Sequence, residues 1–292
     1  MPHLTRRGFT LVELLIALLL LGIVTAAFYG SLTTNQRAYQ KQTQVIDLQQ
    51  NMRAATAILP SELREIDASE GDISAMSATS ITFRARRWMG FICTAPVMPF
   101  ATNPAATSMI VRRDPFYGRT PINTATDVMF VRYEGDDGTR KDDGWAQATA
   151  TAPVTNVVCP DTKPGLLVTM NLNLGAKPNI SGAITSGSPV LGYETVTYGL
   201  YQPVAGGDWY IGLTTANGQQ PLIGPLLSNG LSLSYYDSTG AVTAVRDSVA
   251  RVDIVVRALT NQQVRSTTGA STLARVVDSV RTSVALRNNR RF

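Results

Sequence analysis

One carboxylate, Glu13, lies inside an apolar segment that follows a basic pair, Arg6 and Arg7. It is the only ionisable side chain from residue 9 to residue 28, and a helix of that length spans roughly the 30 Å of a bilayer core. A charged carboxylate at mid-bilayer costs on the order of 2.5 to 3.5 kcal/mol, so such a residue is by default functional and needs a partner. No basic side chain lies inside the segment to serve as that partner. We therefore predict a membrane helix with a functional carboxylate.

The run Gly8-Phe9-Thr10-Leu11-Val12-Glu13-Leu14 resembles the prepilin processing motif of type IV pilins and type II secretion pseudopilins. The resemblance implies that prepilin peptidase cleaves after Gly8 and that the new amino terminus, Phe9, is N-methylated. It also implies that Glu13 forms a salt bridge with the N-terminal amine of a neighbouring subunit during fibre assembly. The leader would then lie in the cytoplasm, with the bulk of the chain on the other side of the inner membrane.

Two other interpretations of the amino-terminal segment stay open. A secretory signal peptide also has a basic start, an apolar core and small residues at its end, and Val24-Thr25-Ala26 would pass as a cleavage site before Ala27. A plain single-span anchor would have a suitable length. An early acidic residue disfavours the signal peptide, and the plain anchor leaves Glu13 unexplained.

The composition argues against the common enzyme chemistries. The only histidine, His3, lies in the predicted leader, so the mature chain would have no imidazole for a catalytic triad, a proton shuttle or a zinc site. The chain shows no glycine-rich phosphate loop, nucleophile elbow or metal-spaced motif. We therefore predict a protein that is not an enzyme.

The two cysteines, Cys93 and Cys159, both follow the predicted span. Disulfides persist outside the cytoplasm, so we predict a bond between them. Two buried free thiols are the alternative. A catalytic thiol is disfavoured, because no histidine is available to activate it.

A run of carboxylates among glycines between residues 134 and 144 contains Asp136, Asp137, Asp142 and Asp143. Carboxylate oxygens and tight turns are what calcium sites use. The spacing does not fit an EF-hand, because Trp145 stands where the closing glutamate should be. We expect a solvated turn and no cofactor, with calcium as a weaker alternative.

The densest basic stretch with an aromatic close by consists of Arg84, Arg86, Arg87 and Trp88. Aromatic stacking beside guanidinium groups is how many proteins hold single-stranded nucleic acid. However, Arg84 and Arg86 alternate with apolar residues, as a strand with one wet face requires, and the net charge of +5 is mild. We do not expect nucleic acid as a partner, and a DNA-binding or calcium-binding pilus subunit is only a remote alternative.

Residues 31–59 contain neither glycine nor proline, which predicts that the membrane helix continues outward. An apolar stripe at spacings of three and four is formed by Val45, Leu48, Met52, Ala55 and Leu59. We expect this stripe to pack on the protein's own domain, with a coiled-coil seam to another subunit as the alternative. Pro60 is predicted to kink or end the helix, with a further helical piece over residues 61–67 and Gly71 as its stop.

Beyond Gly71, β-rich runs alternate with turn residues, and the clearest predicted strands cover residues 81–87, 128–133, 166–172, 194–201, 231–237, 252–259 and 280–287. Long loops are predicted over residues 94–108, 136–153 and 173–189. Strands with one apolar face suit an antiparallel sheet that a helix can cover. The predicted class is therefore α+β, and the resemblance of residues 8–14 implies that the arrangement is pilin-like. Its parts are a leader (1–8), a transmembrane segment (9–30), an outer helix (31–66) and a β-rich head (67–292).

The segments 194–198, 225–237 and 284–288 are similar to the large minor pilins of the PilW type and to pseudopilin J of type II secretion. This resemblance implies a minor pilin that acts at the tip or in the initiation of pilus assembly, together with other minor and major pilins. The alternative that it implies is a minor pseudopilin of a type II secretion system. The large head favours the first of these, since a bulky head suits a sparse subunit near a fibre tip.

Overall fold

The computed structural model describes residues 10–97, 104–118, 121–134, 143–173, 184–265 and 273–287. Within them, the order of elements confirms the α+β prediction: one long helix is followed by an antiparallel sheet. The chain divides into two compact units. One unit contains the described chain up to Gln50 together with the described residues between Leu259 and Asp278. The other contains the chain from Asn51 to Ala258 and the described residues from Ser279 onward.

The elements follow one another along the chain without a second long helix in the described residues. Helix α1 spans Leu11–Leu63, a short 3-10 helix spans Ala68–Glu70, and the strands are β1 (Ile73–Met76), β2 (Ser80–Thr94), β3 (Ala105–Arg112), β4 (Tyr117–Gly118), β5 (Asp127–Tyr133), β6 (Gly144–Ala150), β7 (Thr155–Val158), β8 (Pro164–Asn173), β9 (Pro189–Tyr201), β10 (Trp209–Thr215), β11 (Gly218–Tyr236), β12 (Arg251–Leu259), β13 (Val264–Arg265), β14 (Leu273–Ala274) and β15 (Val277–Ala285).

Helix α1 does not end at Pro60, so that part of the prediction is wrong. The helix continues to Leu63, and the backbone N–H of Arg64 donates to the carbonyl of Pro60 at 3.1 Å. Burial of Leu59 and Leu63 stabilises this last turn and offsets the hydrogen bond that the proline cannot donate. Gly71, predicted as a helix stop, ends the short 3-10 helix that follows α1, and it has φ +69°.

The apolar stripe of the helix is buried as predicted. Leu48, Met52, Ala55 and Leu59 are each at most 7 % exposed, and Val45 is half-buried. From Asn51 onward the helix packs on the protein's own sheet, where the Asn51 side-chain amide donates to the carbonyl of Gly224 in β11 at 2.9 Å. The outer end of the helix therefore forms part of the head.

The sheet contains thirteen of the strands and has an open part and a closed part. The open part runs in the order β1, β2, β9, β10, β11, β12, β15. The closed part is a ring in which β2 pairs with β3, β3 with β8, β8 with β6, β6 with β5, β5 with β9, and β9 again with β2. Six antiparallel strands thus form a small barrel, and the long strands β2 and β9 belong to both parts.

The barrel interior is filled by side chains, as expected for a barrel of this size. Trp88, Met109, Met129, Val168 and Met170 belong to this core, and each is at most 1 % exposed. The indole of Trp88 lies against β9 at Gly192, where a Cβ atom would come within 2.0 Å of the ring. A glycine at position 192 is therefore required for the tryptophan to occupy the core.

All seven predicted strands are present, and most extend beyond the predicted bounds. Two of the predicted loops are wrong: β3 begins inside residues 94–108, and β6 lies inside residues 136–153. Strand β6 has the sequence Gly-Trp-Ala-Gln-Ala-Thr-Ala, whose small residues carry little β signal, and it is held by β5 and β8 on either side. Most of the third predicted loop, residues 174–183, lies outside the described residues.

Cys93 and Cys159 are joined by a disulfide with an S–S distance of 2.05 Å and a Cα–Cα distance of 5.8 Å. Both cysteines are buried. The bond connects the end of the barrel strand β2 to the turn between β7 and β8, so it links segments that are 66 residues apart in the chain.

The last two strands of the open sheet are connected through Asp253. Its carboxylate accepts hydrogen bonds from Ser283 Oγ at 2.5 Å and from Arg281 Nη2 at 2.7 Å. The hydrogen bond from Ser283 lowers the pKa of Asp253, burial opposes this, and the interaction with Arg281 lowers the pKa further. Because the pKa of Asp253 is lower in the folded than in the unfolded state, the carboxylate stabilises the fold at pH values above its unfolded-state pKa. This contribution is lost as the pH falls through the folded-state pKa.

We therefore expect Asp253→Asn to lower the free energy of unfolding at pH 7, since Arg281 and Ser283 lose their charged acceptor. The difference from the wild type should shrink as the pH falls below about 3.9, the ordinary aspartate pKa. Denaturant titrations of the full chain at several pH values measure this difference in the free energy of unfolding. The matched control is Asp247→Asn, which removes the same charge from an exposed position. A difference that does not change with pH would contradict the expected linkage.

Candidate membrane and assembly segment

Helix α1 begins with a side-chain cap. The backbone N–H of Glu13 donates to Thr10 Oγ1 at 3.3 Å, and the N–H of Leu14 donates to the Thr10 carbonyl at 3.2 Å. Thr10 and Glu13 have the Thr-x-x-Glu spacing of a capping box, which is a local signal for a helix start at this position. Glu13 lies in the first turn, where the helix dipole favours a negative charge. The sequence therefore fixes both the helix start and the position of the carboxylate.

The first half of α1 exposes its large apolar side chains. Leu11 is 79 % exposed, Leu18 59 % and Phe28 64 %. Apolar surface on this scale marks a membrane or protein interaction site. Among the described residues, α1 is the one helix long and apolar enough to cross a membrane. The predicted span therefore coincides with the part of α1 that the described residues leave uncovered.

Of the three motif residues, only Glu13 lies in the described part of the chain, since Gly8 and Phe9 lie outside it. Within that part, Glu13 is exposed and has no cationic partner. Its neighbours along the helix are apolar. The salt bridge of Glu13 to a neighbouring subunit stays a prediction.

These features define a class: a membrane-anchored subunit in which one apolar helix with an acidic first turn carries a β-rich head. Comparison with protein families gives a match to the prokaryotic N-terminal methylation motif over residues 4–29. The match supports a type IV pilin-like protein, that is, a pilin or a pseudopilin, which prepilin peptidase processes and which assembles with other pilins. Comparisons with curated proteins and with solved structures gave no match. The resemblance of the head to PilW-type minor pilins stays a prediction.

The calcium hypothesis falls largely outside the described residues, because Asp136, Asp137 and Asp142 are among the others. The fourth candidate, Asp143, accepts a hydrogen bond from Arg132 Nη2 at 2.9 Å across β5 and β6. In the described ranges, no three metal-ligating side chains come together. Asp143 therefore forms an ion pair with Arg132, and calcium binding stays a hypothesis.

The arginines of β2 pair with carboxylates of the head. Arg84 Nε lies 3.1 Å from Asp72 Oδ1, and Arg86 Nη2 lies 3.0 Å from Glu65 Oε1. Trp88 is 1 % exposed, and its indole N–H donates to Asp127 Oδ2 at 2.9 Å. The indole is thus inside the fold and has no face available for stacking on a base.

Arg87 occupies a bulge in β2 and is the most buried of these arginines. The register of β2 on β9 shifts between Arg86 and Trp88, which leaves Arg87 unpaired in the ladder and turns its side chain inward. Its guanidinium lies 3.0 Å from Glu62 Oε2 on the helix and 2.9 Å from Glu194 Oε2 on β9. Apart from the arginine run itself, no sequence pattern indicated this cluster.

The residues of the Glu62–Arg87–Glu194 cluster, together with Asp127, are the charged residues that line a cleft of about 1000 Å³ in the head. Burial lowers the pKa of Arg87, but the hydrogen bond to Glu194 and the charge of Glu62 raise it above its ordinary value, so the guanidinium stays charged. Other polar residues that line the cleft come from the β10–β11 hairpin, including Asn217 and Gln219. Arg87 forms an ion pair with each of the two glutamates, so the cluster connects the end of α1 to β2 and β9.

Proposed function

We propose that the protein is a minor pilin of the type IV pilus, acting at the tip or in the initiation of pilus assembly. The observation that carries the proposal is the motif from Gly8 to Glu13 at the start of an exposed apolar helix. Prepilin peptidase would remove the leader after Gly8, and Phe9 would become the N-methylated amino terminus. The mature chain would cross the inner membrane once, with its head in the periplasm, before it enters the fibre.

The architecture of the head supports a minor rather than a repeating subunit. The open sheet that receives the end of α1 is extended by a six-stranded barrel, which makes the head bulky. A repeating shaft subunit has to allow close packing of many copies, whereas a subunit at the tip has no such restriction on its exposed end. The closed barrel also leaves no free strand edge in its ring, so it suits an exposed position.

A minor pseudopilin of a type II secretion system is the second candidate, because the same motif and helix serve both kinds of fibre. Residues 194–198, 225–237 and 284–288 are similar to pseudopilin J as well as to the PilW type, which keeps this candidate open. Only the head distinguishes the two, and the six-stranded barrel that enlarges it favours an exposed subunit near the fibre tip.

Deleting the gene should abolish surface pili and twitching motility and leave the secretion of exoproteins intact. Electron microscopy of the cell surface, a motility assay and an exoprotein assay measure the three outcomes in one strain. Complementation with the wild-type chain should restore pili, which controls for effects on neighbouring genes. Loss of secretion with normal pili would transfer the assignment to the pseudopilin, and normal pili with normal secretion would contradict both.

A further inference from the structure

The unit that contains the membrane helix also contains a polar pocket of about 240 Å³. One wall is a single face of α1, formed by residues three and four apart, and the other wall belongs to the segment of residues 259–265 and 273–278, here called the arm. The polar lining residues are Arg37, Gln40, Lys41 and Gln44 from the helix and Gln262 and Gln263 from the arm. The volume suffices for a phosphate-sized group, since one water takes about 30 Å³ in the liquid.

Hydrogen bonds hold the two walls in place. The backbone N–H of Gln262 donates to Gln44 Oε1 at 3.0 Å, which fixes the arm on the helix. Within the arm, the N–H of Thr260 donates to the carbonyl of Val276 at 2.9 Å, and the N–H of Val276 donates to Thr260 Oγ1 at 3.1 Å. The pocket is therefore built by specific contacts between segments that are more than two hundred residues apart in the chain.

Two of the polar residues that line the pocket, Arg37 and Lys41, are cations. The nearest carboxylates along the chain, Asp47 on the helix and Asp278 at the end of the arm, are not among the lining residues. No described residue that lines the pocket is acidic, and the side-chain amides add N–H donors. Basic residues beside a membrane span are usually concentrated on its cytoplasmic side. Cations just beyond the outer end of the span depart from this trend. The two cations and the amide N–H groups together give the pocket the chemistry of an anion site.

The position along the helix identifies the source of that anion. Leu32 is the last leucine or isoleucine of the apolar stretch, and Arg37 and Lys41 follow it by about 7.5 Å and about 13.5 Å along the helix axis. The headgroup layer on each side of a bilayer is about 5 to 7.5 Å thick, and long basic side chains extend toward it. We propose that the pocket binds the phosphate of an anionic phospholipid headgroup in the leaflet that faces the head. The inference rests on the proposed function, because it requires that the helix spans the membrane.

The test uses the full chain in nanodiscs of phosphatidylcholine with and without phosphatidylglycerol. Lipid that stays on the protein after transfer to detergent is identified and counted by native mass spectrometry. The pocket variant is Arg37→Gln with Lys41→Gln. The matched control is Arg53→Gln with Arg64→Gln, which removes the same charge from exposed positions further along the chain. A charge-preserving variant, Arg37→Lys with Lys41→Arg, separates lost charge from lost folding.

Retained phosphatidylglycerol should fall at least about tenfold in the pocket variant and stay near the wild-type level in the control and in the charge-preserving variant. Equal retention by the pocket variant and the control would overturn the site. Inorganic phosphate is added to a further wild-type sample. If it displaces the retained lipid at equal phosphate concentration, the pocket binds free phosphate and the lipid assignment is overturned. A chain that does not enter nanodiscs at all would contradict the membrane span itself, and this result is distinct from loss of lipid selectivity.

Discussion

Glu13→Ala is expected to give a protein that is inserted in the membrane and processed but absent from assembled fibres. The reason is that Glu13, exposed in the first turn of α1, would lose its salt bridge to the Phe9 amine of a neighbouring subunit. Removing a charge from an apolar span favours insertion, since that charge costs on the order of 2.5 to 3.5 kcal/mol at mid-bilayer. Immunoblots of sheared fibres and of the membrane fraction measure the two pools.

Mass spectrometry of the membrane-extracted variant should show a chain that begins at N-methylated Phe9, as in the wild type. The matched control is Asp47→Ala, which removes a carboxylate from the same helix beyond the apolar stretch and should leave assembly intact. Normal amounts of the Glu13 variant in fibres would refute the assembly role. A wild-type chain that starts at Met1 or Ala27 would contradict the pilin-like assignment.

Arg87→Ala should lower the free energy of unfolding by about 3 to 5 kcal/mol, because it leaves two carboxylates without their buried partner. Glu62 is 7 % exposed and belongs to the helix, and Glu194 belongs to β9, so their repulsion would separate the helix end from the sheet. Chemical denaturation of the full chain in detergent, followed by circular dichroism, measures the change.

Arg86→Ala is the matched control on the neighbouring residue. Arg86 also forms an ion pair at 3.0 Å, but the side chains of Arg86 and Glu65 are 39 % and 38 % exposed. An exposed pair of this kind contributes about 0 to 1 kcal/mol, so the control should be close to the wild type. Replacing Arg87 by Met together with Glu62→Gln and Glu194→Gln should recover much of the lost stability, since no buried charge is then left unpaired. Similar losses for Arg86→Ala and Arg87→Ala would contradict the burial argument.

The small barrel shows what a strand pattern cannot predict. Residues 128–133 and 166–172 are recognised as strands from their own β-branched and apolar content, whereas β3 and β6 fell partly or wholly in predicted loops. Ala146 and Ala148 are at most 1 % exposed, yet alanines carry no strong strand signal. Their burial depends on β5 and β8, which flank β6 in the closed ring. Ring closure is a property of pairings between distant segments.

By itself, the sequence determined the membrane helix, its acidic first turn and the processing motif. A helix satisfies its backbone hydrogen bonds within one segment, and an apolar span needs only lipid around it, so both follow from neighbouring residues. Alternation of apolar residues likewise located the seven strands, because that pattern is local.

Only the tertiary structure decided which charges are buried and which segments meet. Arg86 and Arg87 are adjacent in sequence, but the bulge in β2 places one at the surface and the other between two carboxylates. Arg37 and Gln262 line one pocket because the arm folds back along the helix. Such contacts join residues far apart in the chain, and each depends on burial elsewhere in the fold, so no local pattern could specify them.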